Sequence, residues 1–273
     1  MMTKTAAAPS AAAAGTLAIG GDLTVNRLGF GAMRLTGPGV WGAPADRPAA
    51  IRVLRRALEL GVNFIDTADS YGPNVSEELI AEALYPYSSD LLIATKAGLT
   101  RAGPGQWERN AHPAHLRAAC EGSLRRLRLA RIDLYQLHAV DPHVPLEDSL
   151  GELMRLRSEG KIRHIGISNV NAAELARAQR SVTVVSVQNR YNLADRDSED
   201  VLGVCERAGM AFIPWFPLGA GRDAANAQNA IAWLLARSPV MLPIPGTSSV
   251  AHLEENVAAA SVHLSARDLE KMN

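Results

Sequence analysis

Of four side chains that can hold or move a proton, three stand at equivalent places in this sequence, at the end of a short apolar run, and the fourth lies in the turn after the first of them. Asp66 closes the run Phe64-Ile65, and Tyr71 follows in a polar turn bounded by Gly72 and Pro73. Lys96 follows Leu91-Leu92-Ile93-Ala94-Thr95, and His138 follows Leu134-Tyr135-Gln136-Leu137. Singly, each has an ordinary structural reading: Asp66 and Lys96 as an ion pair, Tyr71 as a loop aromatic, His138 as a core histidine. Together they suit proton transfer to a carbonyl. A tyrosine hydroxyl with a pKa near about 10 is a poor acid at neutral pH. An ammonium beside it favours phenolate and lowers that pKa, and a carboxylate beyond the lysine keeps the lysine charged and in place. A histidine on the far side donates to the substrate oxygen and orients it. None of these groups is a hydride source, so a reduction here needs a nicotinamide cofactor.

The elements that must position these residues alternate regularly. Strands are predicted over 28–31, 63–66, 91–96, 132–137, 164–168, 183–188, 211–215 and 240–244. Amphipathic helices are predicted over 49–60, 76–84, 115–129, 146–159, 172–180, 198–208, 224–237 and 250–260, several ending at glycine. Eight such units predict a parallel sheet closed into a (β/α)8 barrel, whose chemistry sits at the carboxyl ends of the strands. The competing open sheet would carry Gly-x-Gly-x-x-Gly after its first strand, and Gly29-Phe30-Gly31-Ala32-Met33-Arg34 lacks the third glycine. Ahead of the barrel, two apolar runs around Gly20-Gly21 predict an N-terminal β-hairpin that plugs the barrel floor. Residues 1–15 read as a disordered Ala-rich tail and 16–273 as a single barrel domain, with no dividing linker or further repeat.

Composition excludes several classes. The chain of 273 residues balances 28 Lys and Arg against 28 Asp and Glu, which argues against a nucleic-acid or membrane-surface partner. The run Arg125-Arg126-Leu127-Arg128 reads as a helix end, where cations suit the dipole. Cys120 and Cys205 lie far apart inside helical patterns, so neither a disulfide framework nor a metal site is indicated. The Ala-rich start lacks the core of a secretion signal, and no stretch approaches a membrane span; the reading is cytoplasmic.

The motifs resemble the aldo-keto reductase superfamily from Val25 to Leu269. Gly61-Val-Asn-Phe-Ile-Asp66-Thr-Ala-Asp-Ser-Tyr71-Gly is similar to its first signature, and His164-Ile-Gly-Ile-Ser168-Asn169 to its second. The resemblance implies a catalytic tetrad of Asp66, Tyr71, Lys96 and His138, with Tyr71 as general acid. It also implies that Ser168, Asn169 and Gln188 hold a nicotinamide carboxamide and that Trp215 stacks on the ring. Gly31, Ala32 and Met33 would line the cofactor path, with Pro217, Leu218 and Gly219 further along. Gly246, Thr247 and Ser248 precede a helix whose free N–H groups suit a phosphate, and His252, Glu255 and Asn256 match positions around the adenine end.

Local runs such as Gly37-Pro-Gly-Val-Trp-Gly42 look most like bacterial pyridoxal reductases, implying a small aldehyde as partner. Trp41 and Trp107 are candidate wall residues. The alternatives are a non-catalytic cofactor sensor on the same barrel and a biosynthetic reductase for a larger ketone or sugar. Two departures stand out. After the seventh strand the loop from Gly219 is shorter than in relatives, which predicts looser cofactor retention. Basic residues that pair a 2′-phosphate in NADP-preferring relatives are replaced by Gly246 and His252, with Arg222 as a possible substitute. NADPH is the expected cofactor, NADH use is possible, and no oligomeric state is read.

Overall fold

A computed structural model describes residues 8–219 and 227–272. The chain opens with an antiparallel hairpin, β1 (Thr16–Ile19) and β2 (Leu23–Asn26), turning through Gly20 and Gly21, both at positive φ. The barrel strands are then β3 (Phe30–Gly31), β4 (Phe64–Asp66), β5 (Leu92–Ala97), β8 (Ile132–Leu137), β9 (Ile162–Ser168), β10 (Val184–Arg190) and β11 (Ala211–Trp215). They form one parallel sheet in the order β11-β10-β9-β8-β5-β4-β3. Between them run α1 (Arg47–Glu59), α2 (Val75–Leu84), α3 (Pro113–Leu127), α4 (Leu146–Ser158), α5 (Ala172–Ser181) and α6 (Glu199–Ala208). The helices α7 (Ala227–Arg237), α8 (Val250–Ala258) and α9 (Ala266–Met272) complete the chain.

The eighth predicted strand is the main correction to the barrel. Residues 240–244 run extended between β11 and β3 but form no regular strand. On one side Phe212 N donates to Val240 O at 2.9 Å and Leu242 N to Phe212 O at 2.8 Å; on the other Gly29 N donates to Pro243 O at 2.9 Å. Pro243 and Pro245 have no N–H to give, so the ladder cannot continue. The barrel still closes through these bonds, and the architecture is a TIM-type α/β barrel.

Inside the barrel Phe64, Ala94, Leu134, Ala211 and Ile213 pack with Ile19 and Val25 of the hairpin, so β1 and β2 close the floor as expected. Local chemistry starts or stops several of the helices. Asp46 caps α1 through Ala49 N at 2.8 Å, Asn171 and Glu174 form a capping box on α5, and Gly209 ends α6 at φ 62. Helix 224–237 is described only from Ala227.

Three features went unread in the sequence or were read otherwise. A second hairpin, β6 (Leu99–Gly103) with β7 (Gln106–Arg109), fills the loop after β5, and α9 follows the last barrel helix. Ordered chain also begins earlier than expected. Ala11–Ala14 form a 3-10 turn, Ala11 N donates to Leu60 O at 2.8 Å, and Ala11 is fully buried. A methyl side chain is small enough to seat against the end of α1, which corrects the disordered reading for residues 8–15; residues 1–7 lie outside the described ones.

Candidate active site

Register brings the strand-end residues together. Asp66 at the end of β4 pairs with Gly31 on one side and Ala94 on the other, while Lys96 of β5 pairs with Gln136 of β8. Lys96 is fully buried, and Asp66, Tyr71 and His138 nearly so. The Lys96 Nζ donates to Asp66 Oδ1 at 2.6 Å, to the Thr67 carbonyl at 2.8 Å and to Tyr71 Oη at 3.2 Å. An ammonium has three protons, so Lys96 has none left to offer a ligand. Asp66 Oδ2 accepts from Gln136 Nε2 at 3.1 Å and Gln188 Nε2 at 2.8 Å. The Tyr71 ring meets His138 edge-on at 5.8 Å and Trp107 at 6.3 Å between centroids.

Burial decides the protonation states. It works against the Lys96 ammonium, but the Asp66 charge and then Tyr71 outweigh it, and the lysine sits above its ordinary range. For Tyr71 burial is the larger effect: it pushes the phenol up although Lys96 pulls it down. The lowering by Lys96 follows from charge alone, while the larger upward push of phenolate desolvation is invisible in a motif. His138 is driven well below the ordinary histidine range, first by burial and then by Lys96, so it is neutral at physiological pH.

These residues border a cavity of about 580 Å³ at the carboxyl ends of the strands. Of the residues predicted from sequence, Gly31, Met33, Ser168, Asn169, Gln188, Trp215, Pro217 and Leu218 line it, as do Gly246, Thr247, His252, Glu255 and Asn256. Lys96 lies behind Asp66 and Tyr71. Ala32 and Ser248 are not on the wall: Ala32 is fully buried, its carbonyl accepting from Ser76 Oγ at 3.4 Å. Gly219 also falls outside the lining, and Arg222 lies outside the described residues. On one wall Gly31 and Gly246 let the backbone after β3 close directly on residues 244–246, because a Cβ on Gly31 would lie 2.7 Å from Ile244 O and one on Gly246 would lie 2.4 Å from Gly31 O. Among the described residues no cluster could hold a metal ion.

The amide side chains are more committed than expected. Asn169, at φ 57, gives its Nδ2 protons to His138 O and Ser168 Oγ, and its Oδ1 accepts from Trp215 Nε1 at 3.0 Å. Gln188 gives one Nε2 proton to Asp66 and keeps its second N–H and its acceptor oxygen, so it is the member of the pair with both a donor and an acceptor left for a ligand amide.

The sequence profile of the Aldo/keto reductase family matches residues 27–229 and 222–273. The chain belongs to this family. It is an oxidoreductase by that membership, of a family that reduces carbonyl groups with a nicotinamide cofactor. It is 50% identical to an uncharacterized oxidoreductase of Schizosaccharomyces pombe over all of this chain and 94% of that one. It is 45% identical to the pyridoxine 4-dehydrogenase of Escherichia coli, over 93% of this chain and 96% of the relative. Among solved structures, an aldo-keto reductase from Klebsiella pneumoniae in complex with NADPH superposes with a TM-score of 0.80 at 27% identity, covering 94% of this chain and 93% of that one. The family match breaks and restarts around 222–229, within the stretch where the sequence reading placed a shortened loop.

Among residues not expected from the sequence, Arg34 is on the cavity wall, and Arg101 is on the hairpin after β5 and is not itself one of the lining residues. Arg34 lines the cavity with its Cγ 3.5 Å from where a Gly246 Cβ would stand, and it has no hydrogen bond or ion pair among the described residues. Its place directly after the Gly31-Ala32-Met33 run was the available signal. Arg101, on the unread hairpin, left none. No described helix is long and apolar enough to cross a membrane.

Proposed function

We propose that the protein reduces a small aldehyde to an alcohol with NADPH, and that pyridoxal-like aromatic aldehydes are its substrates. Asp66, Tyr71, Lys96 and His138 are the proposed catalytic residues. The reading is carried by one observation: all three Lys96 protons are spent on Asp66, Thr67 and Tyr71, which leaves the phenol proton as the transferable one. Neutral His138 orients the carbonyl oxygen beside Tyr71, and burial keeps the phenol protonated until a substrate oxygen takes its proton. The lysine charge, held by Asp66, then stabilises the phenolate that remains.

A nicotinamide dinucleotide, when bound, supplies the hydride. Ser168, Asn169, Gln188 and Trp215 are the proposed seat of its nicotinamide. The turn at Gly246, Thr247 and Ser248, at the N-terminal end of α8, is proposed for phosphate, with His252, Glu255 and Asn256 around the adenine end. Arg34, beside Gly246 and with no hydrogen bond or ion pair among the described residues, supports NADPH over NADH, because a guanidinium matches a phosphate bidentately. The name of the Escherichia coli relative supports the pyridoxal class. Two buried, unpaired cysteines fit a reducing cytoplasm.

NADPH oxidation with a panel of aldehydes that includes pyridoxal tests the reading, beside Tyr71→Phe as control. Turnover that falls by about 100-fold or more in the variant is expected. Full activity in Tyr71→Phe, or no turnover of any carbonyl by the natural chain, overturns it.

A further inference from the structure

Arg101 on β6 is bonded in an unusual way. Its Nε donates to Gln106 O at 2.8 Å. Nη1 donates to Val40 O at 2.7 Å and Ser70 O at 3.1 Å, and Nη2 to Gly39 O at 2.6 Å and Gly103 O at 3.3 Å. A guanidinium has five N–H donors, and here every one ends on a main-chain carbonyl. Those carbonyls belong to three separate loops: the one after β3, the one carrying Tyr71, and the β6–β7 hairpin itself. The guanidinium carbon also lies 3.6 Å from the centroid of the Trp107 ring, within cation–π range. Trp107 in turn stands edge-on to Tyr71 and His138, at 6.3 and 6.4 Å.

A second observation points the same way. Val40 sits at φ 56, where a β-branched residue is seldom found. Such a conformation persists only where its surroundings over-determine it. Val40 O accepts from Arg101 and from Gly72 N at 3.3 Å, and Gly42 N donates to Gly72 O at 2.7 Å. The strained loop is thereby held against the residue that follows Tyr71.

We propose that Arg101 is a positioning residue for carbonyl reduction, a five-bond clamp that fixes the first loop, the Tyr71 loop and Trp107 as one wall of the substrate pocket. The inference rests on the reductase reading above. An arginine beside such a pocket otherwise suggests a receptor for a substrate carboxylate or phosphate. Arg101 has no free N–H for that task, so its influence falls on charged and uncharged aldehydes alike.

The test compares Arg101→Met and Arg101→Lys with the natural chain, using pyridoxal and pyridoxal 5′-phosphate as paired probes. NADPH affinity, far-ultraviolet circular dichroism and limited proteolysis of the 99–109 hairpin are measured alongside. In Arg101→Met, kcat/KM is expected to fall by about 10- to 100-fold for both aldehydes, as loss of orientation does. NADPH affinity and the dichroism spectrum stay as in the natural chain, and the hairpin is cut faster. Arg101→Lys, with three donors for five carbonyls, falls between. Unchanged kcat/KM overturns the clamp. So does a loss confined to the phosphorylated aldehyde, which makes Arg101 a receptor, or an equal loss of NADPH affinity, which makes the defect general. If the natural chain turns over no aldehyde, the reductase reading fails separately, and unchanged hairpin cleavage in Arg101→Met overturns the clamp without any activity measurement.

Discussion

Asp66→Asn is expected to destabilise the protein by about 3–5 kcal/mol at pH 7, the usual cost of removing one partner of a buried ion pair. The structure gives the reason. Lys96 is fully buried, and among the described residues Asp66 is its only anionic hydrogen-bond partner. The second carboxylate oxygen accepts from two amide nitrogens, Gln136 Nε2 and Gln188 Nε2. An asparagine can satisfy one side or the other. With its oxygen toward Lys96 it sets N–H against the two glutamine N–H groups, and reversed it sets N–H against the ammonium. Lys96→Met should cost less than Asp66→Asn, since the carboxylate keeps two donors. The double variant removes both charges and is expected to be more stable than the sum of the singles by about 3 kcal/mol. Urea unfolding followed by circular dichroism measures all three, and at about 2–4 °C per kcal/mol the melting temperature of Asp66→Asn should fall by roughly 6–20 °C. The stranded lysine gives a further sign. Once its folded pKa drops below the unfolded value, the unfolded chain holds more protons, so the variant gains stability as pH rises from 7 to 9. An Asp66→Asn cost under about 1 kcal/mol, or strict additivity in the double variant, refutes the argument.

Burial, and then Glu77 nearby, push the Asp69 carboxyl up to about 8, and its Oδ1 has no hydrogen-bond partner among the described residues. The folded state therefore keeps a proton that the unfolded chain releases above its ordinary 3.8, so stability falls as pH rises from about 4 to 8. At roughly 1.4 kcal/mol per unit the penalty at pH 7 is about 4 kcal/mol. Asp69→Asn should recover about 1–3 kcal/mol of it and flatten that slope in urea titrations; an unchanged pH slope would count against it. Arg34→Met is expected to weaken NADPH binding by about tenfold and leave NADH within about twofold, read by fluorescence titration. Equal losses for both cofactors would remove Arg34 from the phosphate. Cys120 and Cys205 are fully buried, with thiols pushed up to about 12 by burial, so neither should react with a thiol reagent at pH 8 until denaturant is added.

The catalytic candidates were legible from sequence because barrel chemistry follows a one-dimensional rule. An apolar run gives a buried strand, and the polar residue ending it faces the rim, which placed Asp66, Lys96 and His138 on adjacent strands and Tyr71 in the loop between. The same rule put Ser168, Gln188 and Trp215 on the cavity wall. It failed at 240–244, where composition said strand but Pro243, and Pro245 just after, withheld the donors, and at Ala11, whose burial depends on a surface supplied by Leu60.

Long-range geometry was decided only by barrel closure. Closure turns Gln136 and Gln188 onto the same oxygen of Asp66, sets Arg34 beside Gly246, and brings carbonyls from three loops around Arg101. No local pattern encodes these meetings, because each depends on where distant strands end up in the ring. Desolvation belongs with them. That an ammonium lowers a neighbouring phenol's pKa follows from charge alone, but the net rise at Tyr71 depends on how much of the molecule stands between it and water.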